Sequence, residues 1–229
     1  MTAIAANLQA VRERIARAAQ AAGRPASAIT LVAVSKTFGA DRIEEAHAAG
    51  QRDFGESYAQ EAVTKITRLA HLPLVWHFIG PIQSNKTRAI ARHFQWVHSV
   101  DREKIAVRLN EARPPGLPPL DVCIQINVSG EGSKGGVAPG AELALARAIA
   151  ALPRLRLRGL MAIPEPTPDV ALQRRRFALL REIRDRLAAC GIALDTLSMG
   201  MSDDLEAAIA EGATMVRVGT AIFGRRHEM

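Results

Sequence analysis

Met215-Val-Arg217-Val-Gly219-Thr220-Ala-Ile-Phe-Gly224 is the last of eight short, β-branched runs in the chain, and what it closes decides the fold. Period-two alternation puts Val216 and Val218 on one face and Arg217 and Gly219 on the other. The earlier runs are Ile29 to Thr37, Gln51 to Gly55, Leu74 to Gly80, Trp96 to Asp101, Leu120 to Val128, Leu155 to Ile163 and Leu194 to Gly200. Stretches of helical period separate them. In Val170 to Cys190, for example, Phe177, Leu180, Ile183 and Leu187 recur every three or four residues. Such alternation reads as βα units on a parallel sheet. Eight units in 229 residues, close to the ~250 typical of the fold, predict a single (β/α)8 TIM barrel. A doubly wound open sheet is the alternative.

The eighth run ends only five residues before Met229, so no helix is expected after it. Ile4, Leu8, Val11, Ile15 and Ala19 form an apolar stripe on an extra opening helix, which could cover the seam between first and last strands instead. Neither a flexible linker nor a composition shift divides the chain. The Pro-rich stretch Arg113 to Pro119 merely separates a helix from the fifth strand. Residues 1–229 therefore read as one domain.

With 48% apolar and 23% charged residues, the chain is excluded from the collagenous, coiled-coil and disordered classes. Its net charge of +7 raises nucleic-acid binding, but much of the excess sits on helices: Arg12, Arg14 and Arg17 on the first, then Arg174 to Arg176, Arg181, Arg184 and Arg186 on the late one. Aromatic residues make up 4%, too few for base-stacking platforms, so a solvated face is the better reading and no nucleic-acid partner is expected. Cys123 and Cys190 build no disulfide framework, which points to a reducing compartment, by default the cytoplasm. Nothing resembles a leader or a membrane span.

Function in a parallel barrel collects where strands end. The first run, Leu31-Val-Ala-Val-Ser-Lys36, ends in a lysine that either snorkels outward or stands partly desolvated at the barrel mouth, a nucleophile for an aldehyde. The seventh ends in Leu197-Ser-Met-Gly-Met201-Ser202-Asp-Asp204, a glycine turn into a helix. There Ser202 is an N-cap, a phosphate ligand, or both, and the two acids would repel an anion unless they point outward. In the eighth, Arg217 enters the barrel if the valines pack on helices, and it needs an internal carboxylate or a ligand acceptor. Gly219 and Thr220 beyond it could meet the same anion as the seventh turn. An aldehyde, a phosphate and a ring acceptor together describe pyridoxal 5′-phosphate.

These stretches, with Phe54-Gly-Glu56, Trp76-His-Phe-Ile-Gly-Pro-Ile-Gln-Ser-Asn-Lys86 and Gly159-Leu-Met161, span nearly the whole chain in order. Together they resemble the family of pyridoxal phosphate homeostasis proteins, related to the barrel domain of alanine racemase. The resemblance implies a fold-type III barrel holding the cofactor as an imine on Lys36. It sets Arg217 at the pyridine nitrogen, and Met201, Ser202, Gly219 and Thr220 at the phosphate turns. The family usually reads Phe-Gly-Glu-Asn-Tyr where this chain has Ser57, so Ser57 is either a shorter ligand or a helix cap completed by Gln60.

His77, Gln83, Asn85 and Lys86 are candidates for the rim of the site. The scattered histidines and the two cysteines lack the spacing of metal ligands, and Lys134 reads as exposed in a loop. An arginine at the pyridine nitrogen disfavours its protonation and so weakens the ring as an electron sink. Racemases of this type bring a second proton donor, a tyrosine, from another domain, and the only tyrosine here is Tyr58. The expected function is thus storage, buffering or delivery of the cofactor without strong catalysis. PLP-dependent apo-enzymes are the implied recipients and a monomer the implied state; the alternative is a minimal PLP-dependent amino-acid racemase of the alanine racemase type.

Overall fold

Each of the eight apolar runs yields a strand in the computed structural model, the second strand reaching one residue past its run to Glu56; the model describes residues 2–130 and 135–225, and Lys134 lies outside the described residues. The strands are β1 (Thr30–Val34), β2 (Asp53–Glu56), β3 (Val75–Phe78), β4 (Trp96–Val100), β5 (Leu120–Gln125), β6 (Leu155–Met161), β7 (Thr196–Ser198) and β8 (Met215–Val218). Among the described residues they form a closed parallel barrel in chain order. The seam is sealed by β1 and β8, paired from Thr30 with Met215 to Ala33 with Val218. The open-sheet alternative is thereby excluded.

Helices form the outer ring: α1 (Ala3–Ala21), α2 (Ala40–Ala48), α3 (Ala59–Arg68), α4 (Thr87–His93), α5 (Glu103–Ala112), α6 (Glu142–Ala150), α7 (Val170–Ala189), α8 (Leu205–Ala210) and α9 (Thr220–Phe223). α7 buries Phe177, Leu180, Ile183 and Leu187, the stripe read from its sequence. The main core lies between strands and helices, with Phe54, Phe78, Phe94 and Phe177 its largest fully buried side chains. Val216 and Val218 belong to it, which turns Arg217 inward.

One expectation is corrected at the end of the barrel. The run Met215 to Gly224 is not all strand: β8 stops at Val218, Gly219 takes helical dihedrals, and the one-turn α9 follows. Two apolar contacts explain the turn. Ile222 and Phe223 are buried, and Phe223 stacks on Phe38 with ring centroids 5.2 Å apart. The opening helix α1 buries Ile4, Leu8, Val11, Ile15 and Ala19 and packs against α2, α8 and α9. It covers the seam together with α9 rather than in place of a missing helix.

The arginines of α7 are drawn into ion pairs: Arg174 and Arg181 with Glu211, Arg176 with Glu165, and Arg186 with Glu142. In each pair one partner stays open to solvent while the other is largely buried, and together they compensate the local positive charge. No helix among the described residues is long and apolar enough to cross a membrane.

Candidate functional site

Lys36 follows β1 on a turn that is gripped from both sides. The Ser35 N–H donates to the Gly55 carbonyl at 3.0 Å, and the Ser35 hydroxyl donates to Glu56 Oε1 at 2.6 Å. Lys65 Nζ donates to the Ser35 carbonyl and to Glu56 Oε1, both at 2.9 Å. On the other side, the Thr37 N–H donates to Glu61 Oε1 at 2.7 Å, and Thr37 is held at φ +70°, a strained region for a β-branched residue. Burial pushes the Glu56 carboxyl above the ordinary carboxylate range, against the opposing pull of Lys65. The result is a lysine fixed at the C-terminal mouth of the barrel, half-buried.

That mouth is a cavity of about 270 Å³. Lys36 and Ser57 line it from the first two strands, Met201 and Ser202 from the seventh-strand turn, and Arg217, Gly219 and Thr220 from the eighth. Chain segments that are far apart in sequence thus converge on one volume. The apolar wall is Val34, Phe38, Ile79 and Ile163. Sequence reasoning missed this wall, although Ile79 and Ile163 each lie two residues beyond an inward-facing strand residue, His77 and Met161, so that period-two counting reaches them.

The seventh-strand turn depends on Gly200, at φ +96°, where an added Cβ would come 2.6 Å from Ala208 Cβ. Ser202 does not cap the following helix. α8 starts at Leu205 with Asp204 in the cap position, and no side chain bonds a cap amide. Asp204 Oδ1 instead accepts the Met201 N–H at 2.6 Å, which commits that amide and occupies the carboxylate. Asp203 is exposed but does reach the cavity lining. Helix α1 braces both closing turns, for Arg14 Nη2 donates to the Ser202 carbonyl at 3.0 Å and Asn7 Nδ2 to the Ile222 carbonyl at 2.9 Å.

Arg217 stands at the floor of the cavity, 2% exposed. Among the described residues no carboxylate pairs with it. Nη1 donates to Ser198 Oγ at 2.6 Å and Nη2 to the Ala162 carbonyl at 2.9 Å. Burial lowers its pKa to about 10, which leaves it cationic at neutral pH.

Two other expectations are corrected. His77 is not at the rim: period two turns it into the barrel, where Nδ1 lies 2.9 Å from His98 Nε2 and Nε2 lies 3.0 Å from Asp53 Oδ1. Gln83 and Asn85 are exposed, Lys86 Nζ donates to Gln60 Oε1 at 2.7 Å, and none of the three lines the cavity. The capping box at Ser57 does not form either, since Tyr58 holds the cap position of α3 without a side-chain bond and Gln60 is engaged by Lys86. Among the described residues no cluster of three His, Cys, Asp or Glu is arranged to hold a metal ion. Cys123 is buried inside the barrel, where desolvation pushes its thiol pKa far up, and Cys190 is exposed.

Residues 6–227 match the family described as alanine racemase, N-terminal domain. The pyridoxal phosphate homeostasis protein of Pseudomonas aeruginosa is 66% identical over 226 residues, 99% of this chain and 97% of that one. The chain belongs to the pyridoxal phosphate homeostasis protein family. The Escherichia coli K12 protein of the same name is 54% identical over 232 residues, covering 99% of this chain and 98% of its own. Among solved structures, PipY of Synechococcus elongatus, with PLP bound, superimposes with a TM-score of 0.85 at 38% identity, over 96% of this chain and 100% of that one.

Ser57 reaches the cavity lining. The neighbouring Tyr58, the one tyrosine of the sequence, is 54% exposed and does not line the cavity.

Proposed function

We propose that this protein binds pyridoxal 5′-phosphate at the C-terminal mouth of the barrel and acts in cofactor homeostasis, storing, buffering or delivering it without strong catalysis of its own. The observation that carries the reading is that Lys36, Arg217 and the Ser202 and Gly219–Thr220 turns line one cavity. The donor set fits the group. Lys36 offers a half-buried amine for its aldehyde, Arg217 a buried N–H donor for its ring nitrogen, and the hydroxyls of Ser202 and Thr220, with the backbone at Gly219, donors for its phosphate. The apolar wall of Val34, Ile79 and Ile163 suits the faces of an aromatic ring.

When bound, pyridoxal phosphate supplies an electron sink for carbanions, and this chain's residues do little to use it. Arg217 has donors and no acceptor, so it favours an unprotonated ring nitrogen. Tyr58, which is exposed and does not line the cavity, offers no second proton donor facing Lys36. We assign the protein to the cytoplasm as a monomer, on its cysteine usage and family likeness, with PLP-dependent apo-enzymes as recipients of the cofactor.

The test uses single-enantiomer alanine or serine in deuterated water with the cofactor-loaded protein. The carrier reading expects the yellow protein to leave the α-hydrogen in place. Solvent deuterium entering the α position with turnover would make the protein a minimal racemase instead.

A further inference from the structure

A line of hydrogen bonds crosses the barrel interior from the floor of the cavity to the opposite end. Arg217 Nη1 donates to Ser198 Oγ at 2.6 Å, and Ser198 Oγ lies 2.7 Å from His98 Nδ1. His98 Nε2 is 2.9 Å from His77 Nδ1, and His77 Nε2 is 3.0 Å from Asp53 Oδ1. Ser198, His98 and His77 are fully buried, whereas the Asp53 side chain is 28% exposed at the start of β2.

The chemistry of the two ends gives the line a direction. A guanidinium has only donors and an ionised carboxylate only acceptors. With one proton on each ring, all four contacts are satisfied in one order alone. Ser198 accepts from Arg217 and donates to His98 Nδ1; His98 Nε2–H donates to His77 Nδ1; His77 Nε2–H donates to Asp53. In the reverse order a ring lone pair on His77 would face a carboxylate oxygen at 3.0 Å. The Ser198 hydroxyl would then have no acceptor for its hydrogen while receiving two. Burial, reinforced by His77 and Arg217, holds the His98 pKa well below the ordinary value, in keeping with a neutral ring.

We propose that Asp53 is a positioning residue for the cofactor: through His77, His98 and Ser198 it fixes the guanidinium of Arg217 on the cavity floor. The inference rests on the functional reading above, which sets Arg217 against the pyridine nitrogen. A hydrogen-bond chain ending on an anion polarises each member toward it. Ser198 therefore presents lone pairs to Nη1 at all times, and with Nη2 tied to the Ala162 carbonyl the guanidinium plane cannot turn.

The experiment compares the wild type, Asp53→Ala and Asp53→Asn, all as full chains. Asparagine can offer its carbonyl oxygen where the carboxylate stood; alanine cannot. Nitrogen-15 NMR reads the ring tautomers of His77 and His98, and absorbance reads the bound cofactor. The proposal expects Nε2–H tautomers on both rings in the wild type and mixed tautomers in Asp53→Ala. In that variant the absorption maximum shifts and the cofactor leaves roughly tenfold faster, the scale of one lost charge-assisted contact. Asp53→Asn restores both readouts. A cationic His77 or Nδ1–H rings in the wild type would overturn the proposal. So would Asp53→Ala with altered tautomers but an unchanged cofactor spectrum and release rate, and that outcome would leave cofactor binding itself intact. A wild type that binds no pyridoxal phosphate would remove the functional reading, whatever the rings show.

Discussion

Ser198 Oγ accepts a hydrogen bond from Arg217 Nη1 at 2.6 Å between neighbouring strands β7 and β8, and this contact lets a cation sit inside the barrel without a carboxylate. Burying an unpaired charge is costly unless hydrogen bonds replace its water. Here one side-chain oxygen and the Ala162 carbonyl do so for the two terminal nitrogens. Arg217 also lines the cavity above.

Replacing that cation removes both functions. Arg217→Leu is expected to weaken pyridoxal phosphate binding by roughly 10–100-fold, the value of a hydrogen bond to a charged group. It also leaves Ser198 and the Ala162 carbonyl short of partners, at about 1–3 kcal/mol of stability each. Arg217→Lys recovers little, because a single ammonium lacks the planar fork that spans both acceptors. Equilibrium dialysis and urea denaturation read the two effects separately, and binding that survives Arg217→Leu unchanged would contradict the role.

Gly80 controls the second-strand side of the mouth. A Cβ there would lie 2.3 Å from the Ser57 carbonyl oxygen and 2.8 Å from Ser57 Cα, both backbone atoms. Gly80→Ala should therefore push Ser57 out of the lining and cost about 1–3 kcal/mol, as overpacking does. The urea midpoint and the cofactor affinity are expected to fall together; an affinity that holds while stability drops would show that Ser57 makes no contact of consequence.

Thr37 offers the opposite kind of change. Its φ of +70° costs a non-glycine residue about 1–2 kcal/mol, part of which glycine's greater unfolded-state freedom offsets. Thr37→Gly is expected to raise stability by up to about 1 kcal/mol while leaving the Glu61 contact to the backbone N–H in place. A clear loss of stability would mean that the threonine side chain itself holds the Lys36 turn.

His98 ties stability to pH. Its folded pKa is depressed by burial, so below about pH 6.5, the ordinary histidine value, the unfolded chain binds a proton that the folded one does not. Stability is then complete above that pH and declines as pH falls from there through the depressed folded value, by at most about 1.4 kcal/mol per unit. Thermal denaturation between pH 5 and pH 7 should show this slope, shallower in His98→Gln. Equal slopes in both proteins would place the proton elsewhere.

The barrel and the two ends of its site were readable because their signals are periodic. Eight runs at βα spacing, a valine pair that assigns Arg217 to the interior, and lysine directly after an apolar run need no tertiary information. What failed needed it. Whether His77 faces the mouth or the interior depends on how far along β3 the barrel's middle lies, which the alternation of Trp76 and Phe78 cannot give. Ser57 and Ser202 each precede a helix and carry the right side chain for a cap, yet both lie on the cavity lining, because Tyr58 and Asp204 take the cap positions. The helical turn Thr220–Phe223 reads as strand by composition and is decided by the burial of Ile222 and Phe223.

The amine of Lys36 is the centre of this account, and chemical trapping addresses it directly. The protein is loaded with pyridoxal phosphate, reduced with borohydride, digested and mapped by mass spectrometry. The account predicts a phosphopyridoxyl group on the peptide that carries Lys36, and none there in Lys36→Ala. An unmodified Lys36 in the loaded wild type, or a group trapped only on other lysines, would contradict it.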